Sequence, residues 1–184
     1  APRSAAGQFD SMTPARLVDT RTERSTIDWQ YAGVGKRSAG STMKIKVAGR
    51  GGVANDAVAV SLNVTSVKPD GNGYITVSPC GTRPDASSLN LAAGQNVPNA
   101  VISKLNNSGE LCVYTTTATH LLVDVNGAIP GGSNFTSISP RRYLDTRSAN
   151  ATFDDRSSGQ GANRGGSKIG RASCWVRGCG GGGG

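Results

Sequence analysis

The stretch Ser11-Met-Thr-Pro-Ala-Arg-Leu-Val-Asp-Thr-Arg21 returns 126 residues later as Ser137-Ile-Ser-Pro-Arg-Arg-Tyr-Leu-Asp-Thr-Arg147. Six of the eleven positions are identical: Ser11 pairs with Ser137, Pro14 with Pro140, Arg16 with Arg142, Asp19 with Asp145, Thr20 with Thr146 and Arg21 with Arg147. Phe9 extends the same register to Phe135. A period of this length is the size of a domain, not of a solenoid repeat or a propeller blade. The chain therefore reads as a lead at 1–8, a full repeat unit at 9–133, the start of a second copy at 134–150 that packs on the first or on a neighbour, and a Gly/Ser/Arg-rich tail at 151–184.

Within the unit the dominant pattern is alternation. Residues 43–47 alternate cleanly and end at the glycine turn 49–52, and 57–67 carries Val58, Val60, Leu62 and Val64 on one face with small residues opposite. Segments 74–78, 87–91, 96–105, 110–115 and 120–127 repeat the strand pattern, with turn residues between them and no sustained 3.6-residue period. Residues 69–73 read as a hairpin turn returning into 74–78 as the partner strand, because Asn and Gly tolerate positive φ. Ile27, Trp29 and Tyr31 alternate as a strand would, and Pro14 suits an edge strand or a strand start. The expectation is an all-β chain: an antiparallel β-sandwich of jelly-roll type, followed by a flexible tail.

Charge and glycine both change where the tail begins. Of 26 glycines, eleven fall in the last 26 residues, and the five basic residues from Arg156 onward meet no acid, so residues 156–184 hold +5 of the net +8. A Gly/Ser-rich basic segment cannot bury enough surface to fold, so the body is only mildly basic and a nucleic-acid partner is not expected. The end of the tail reads as linker, vector-derived or out-of-frame sequence. No apolar run approaches the roughly 20 residues of a membrane span. Residues 1–7 are short and polar and form no secretory leader, as expected of a mature or excised chain. Cys80 and Cys112 lie in two strand-like segments, and no Cys-x-x-Cys motif is present, so a disulfide between them is expected, and with it an oxidising, extracellular setting. The pairing of Cys174 and Cys179 stays open.

Residues 14–21, 57–65, 73–81, 83–90, 94–99, 109–112 and 122–127 together resemble a repeat domain of secreted and cell-wall-associated actinobacterial proteins, built as tandem Pro-x-Arg-Leu-Leu-Asp-Thr-Arg repeats that sometimes accompany a hydrolase domain. The likeness covers about 9–147. Both Cys80 and Cys112 have counterparts in that pattern, which supports their pairing, whereas Ala128-Ile129 stands where a Tyr-Phe pair is usual. The resemblance implies a secreted or cell-surface location and assigns no catalytic activity.

Candidate chemistry is sparse. Asp19 and Asp145, with Arg16, Arg21, Arg142 and Arg147, could accept and donate to a carboxylate or sugar, but Asp beside Thr20 or Thr146 and an Arg more simply cages a tight turn. His120 and Asp124 share a strand face roughly 13 Å apart, too far to act as a pair. Neither a nucleophile elbow, a facing carboxylate pair nor a metal motif is present. These patterns lead to the expectation of a non-catalytic structural or assembly domain that needs no metal or cofactor and self-associates through the second motif. The rival is a carbohydrate- or peptidoglycan-binding module accessory to a cell-wall hydrolase, with Trp29, Tyr31 and Tyr74 as its aromatic platform.

Overall fold

A computed structural model of the chain describes residues 9–136, 138, 140–147 and 152–159. The expected lead at 1–8 and the tail from 160 onward, with Cys174 and Cys179, lie outside the described residues. The chain divides into two compact units, Ala1–Arg141 and Arg142–Gly184.

The first unit is an eight-stranded sandwich with β1 (Asp10–Asp19), β2 (Thr42–Lys46), β3 (Ala59–Val67), β4 (Gly73–Pro79), β5 (Leu89–Leu91), β6 (Val97–Lys104), β7 (Glu110–Thr115) and β8 (His120–Ile129). One sheet runs β1-β8-β3-β6 and the other β2-β7-β4-β5. Every ladder is antiparallel. The pairs β1–β8, β2–β7, β3–β6 and β4–β5 are those of one long hairpin, which then rolls so that β8 also meets β3 and β7 meets β4. That is jelly-roll topology.

This topology corrects two local readings. Residues 69–73 do not close a hairpin, because β3 and β4 sit in different sheets, and β4 pairs with β7 and β5 instead. Each strand has one buried face and can satisfy its backbone against any partner, so the turn composition fixed a reversal and not a pairing. Likewise 27–31 is not a strand: Trp29 and Tyr31 have φ of 60° and 57° and belong to turns. Their alternation reflects anchoring of a loop and not pleating.

The core comes from the inward faces. In β2 exposed and buried residues alternate strictly, and β3, β7 and β8 contribute Leu62, Val64, Leu111, Val113, Leu121 and Val123, each fully buried. β1 departs from simple alternation. Its ladder to β8 shifts register between Ser11 and Ala15, where Pro14 lacks an N–H to donate, and again between Arg16 and Val18. After the second shift Leu17, Val18, Asp19 and Thr20 are all buried, so the end of β1 brings a carboxylate and a hydroxyl into the interior.

Candidate functional site

Asp19 closes β1, and its side chain is only 1% exposed. A buried carboxylate needs donors, and the two arginines of the motif supply them. The Arg21 backbone N–H and Nε donate to Oδ1 at 3.2 and 2.9 Å, Arg21 Nη2 donates to Oδ2 at 2.6 Å, and Arg16 Nη1 donates to the same oxygen at 3.1 Å. Arg16 turns its remaining edge to the next strand, donating from Nε and Nη2 to the two oxygens of Asp124 at 2.7 and 3.0 Å. The motif thus makes two forked, charge-assisted contacts, of which Arg16–Asp124 ties β1 to β8 and Arg21–Asp19 closes the end of β1. Thr20 completes the corner: its Oγ1 accepts from the Leu121 N–H at 2.9 Å and lies 3.1 Å from His120 Nδ1.

A second anchor lies in the turn at 49–52. Arg50, 6% exposed, donates from Nε and Nη2 to Asp28 at 2.6 and 2.7 Å, and to the carbonyls of Lys46 and Leu17 at 2.8 and 2.9 Å. Its guanidinium stands 5.0 Å from the Tyr31 ring centre, and the Tyr31 hydroxyl accepts from the Lys46 N–H. The loop at 26–33 is pinned along its length: Ile27 N–H donates to the Arg16 carbonyl, Gly33 N–H to the Asp19 carbonyl, and Thr26 Oγ1 to the Gln30 carbonyl.

The second unit repeats the Asp–Arg fork and the pinned loop of this construction. Arg147 donates from its backbone N–H, Nε and Nη2 to Asp145 at 3.1, 2.9 and 2.6 Å, and Arg142 Nη1 stands 3.6 Å from Oδ2. Phe153 N–H donates to the Arg142 carbonyl, Gly159 N–H to the Asp145 carbonyl, and Thr152 Oγ1 to the Arg156 carbonyl. Asp155 and Ser157 have φ of 54° and 53°, matching Trp29 and Tyr31. The repeat therefore continues at the same offset through Thr26/Thr152, Asp28/Asp154 and Gly33/Gly159, into the stretch read from sequence as tail. Those three identities, followed in the sequence by Gly35/Gly161, Gly40/Gly166 and Ser41/Ser167, were the available signal, diluted by the unlike residues between them. No named strand covers 134–147 among the described residues.

The electrostatics follow the geometry. Burial pushes the Asp19 carboxyl up, but the Arg21 bonds and the charges of Arg21 and Arg16 outweigh it and hold the group below the ordinary carboxylate range. Arg50 bonding holds Asp28 down. The Arg147 side-chain bond takes Asp145 down to about 2. In both copies the Nε/Nη2 edge of the guanidinium, the fork that matches a carboxylate, is committed to the motif's own Asp, and what the arrangement does chemically is to hold the chain closed around that Asp.

The three aromatic residues proposed as a platform are separated in role. The Trp29 side chain is largely in solvent, with the residue 75% exposed. Tyr31 is engaged by Arg50 and Lys46. Tyr74, on the outer side of β4, packs at a tilt against Tyr114 of β7 with ring centres 6.3 Å apart, and Arg83 lies 3.9 Å over the Tyr114 ring. Arg83 belongs to the loop that covers this face of the sheet, where Thr76 also donates to the Ala86 carbonyl. One end of that loop is clamped by the Cys80–Cys112 disulfide, with Cα atoms 4.9 Å apart.

Among the described residues no group of three His, Cys, Asp or Glu is placed to hold a metal ion, and no helix is long and apolar enough to cross a membrane. Comparison with protein-family models and with curated proteins found no match to this chain.

Proposed function

We propose that the chain is part of a secreted, cell-surface array in which a non-catalytic jelly-roll unit recurs every 126 residues. One observation carries this reading: the Asp145–Arg147 contacts reproduce the Asp19–Arg21 contacts donor for donor. The forked edge that would grip a ligand carboxylate is spent on the motif's own Asp in both copies, as in a fastener, and a fastener present twice belongs to a unit used twice. The Cys80–Cys112 bond supports an oxidising compartment outside the cytosol. The resemblance to the cell-wall-associated repeat domain supports the same location.

Self-association belongs to this proposal. In the second unit Tyr143 and Leu144 are 56% and 60% exposed, whereas their counterparts Leu17 and Val18 are fully buried. An apolar surface of that kind is adhesive. Sedimentation velocity of the full chain against a chain ending at Gly132 tests it. Association with rising concentration in the full chain alone is the expected result. Identical monomers at high concentration remove assembly and leave a stand-alone scaffold unit. A second role, the holding of a cell-wall polysaccharide, draws support from a cleft in the first unit.

A further inference from the structure

A cleft of about 490 Å³ opens at one end of the first unit, between the residues leading into β3, the turn from β6 to β7, and the segment after β8. We propose that it is a binding site for a neutral, hydroxyl-rich ligand, a short stretch of glycan chain. The proposal rests on the polysaccharide-holding role and is independent of the array.

Three features of the lining point to this chemistry. Asn55 and Asn107 line the cleft, and among the described residues their side-chain amides take no hydrogen bond. Each amide offers donors and an acceptor together, which complements sugar hydroxyls that also do both. Ser133 adds a hydroxyl oxygen that is buried with no partner among the described residues, and a group in that state gains from any ligand atom that bonds it. Phe135, 42% exposed, provides an apolar ring for the C–H face of a pyranose. Asp56 and Lys104 bring opposite charges to the same lining, so the site has no cationic cluster to favour a phosphate or another anion. The volume lies within the range of small-ligand sites and suits two or three sugar rings. Trp29, the most exposed aromatic residue of the sequence-derived platform, is not among the lining residues.

The full chain is titrated with cellotriose, maltotriose and triacetylchitotriose, followed by amide and side-chain NMR, and in parallel is pulled down on insoluble cell wall. We expect saturable shifts at Asn55, Asn107 and Phe135 with at least one trisaccharide, at a dissociation constant of about 1 mM or tighter. Phe135→Ala and Asn107→Ala should each weaken binding about tenfold, while Trp29→Ala leaves it unchanged; both cleft variants lie outside the core, and an unaltered thermal transition confirms that they fold. Binding that survives both variants, or that is lost with Trp29→Ala, overturns the cleft while leaving the polysaccharide role standing. Failure of every sugar up to about 10 mM, with no retention on cell wall, overturns both.

Discussion

Replacing Asp19 by Asn isolates the charge of the fastener while keeping its shape. The Asn carbonyl can still accept the two bonds that Arg21 makes to Oδ1, from its backbone N–H and Nε. At the position of Oδ2 an amide nitrogen would face Arg21 Nη2 and Arg16 Nη1, now at 2.6 and 3.1 Å, so two charge-assisted bonds become donor-to-donor contacts. At about 1.5 kcal/mol each the loss is about 3 kcal/mol. Both arginine side chains are about a third exposed, so water takes up part of the loss and the expected cost is about 2 kcal/mol. The assay is urea denaturation at pH 7, where the midpoint should fall with an unchanged slope.

The pH dependence checks the same reasoning. The folded Asp19 group lies below its unfolded value, so its contribution is fully present above about pH 5 and is lost as pH falls through the folded value. The wild-type chain should therefore lose stability on acidification more steeply than Asp19→Asn. A variant within about 0.5 kcal/mol of wild type, with the same acid profile, would refute the fastener.

Other substitutions probe separate parts of the account. Cys80→Ser with Cys112→Ser opens a loop spanning 32 residues and should cost about 3 to 4 kcal/mol on the chain-entropy model, measured by the same denaturation. Arg50→Ala leaves Asp28 and the carbonyls of Lys46 and Leu17 without their donor, and a loss of about 3 kcal/mol is expected; a loss under about 1 kcal/mol would show that water replaces it. Trp29→Asn should be neutral or stabilising by up to about 1 kcal/mol, because Asn tolerates the left-handed conformation that Trp29 occupies. Clear destabilisation in that variant would assign the indole a packing role.

Much of the sandwich was legible because burial on one face writes itself into the sequence as alternation. Residues 43–47 and 110–115 match β2 and β7 within a residue or so. The pairing was not legible. Turn chemistry at 69–73 records a chain reversal, and only the whole roll decides that β4 meets β7. Trp29 and Tyr31 misled for a related reason: alternation cannot distinguish a pleat from a pinned loop whose residues take positive φ. At the site, the Asp19–Arg21 cage was readable from a two-residue spacing, whereas Asp124 and Arg50 reach it across 108 and 33 residues, with no local sign. The extension of the second copy to Gly159 was hidden by the change from Ile27, Trp29 and Tyr31 to Phe153, Asp155 and Ser157, side chains that the loop backbone does not require.

The central claim is that the second motif builds the same fastener as the first. Residue-resolved amide hydrogen exchange tests it most directly, through Gly33 and Gly159, whose N–H groups donate to the carbonyls of Asp19 and Asp145 at 2.9 and 2.8 Å. Protection of both amides, with that of Gly159 lost in Asp145→Asn and that of Gly33 retained, is the expected result. Exchange of Gly159 at the rate of an unstructured peptide, beside a protected Gly33, would contradict the claim.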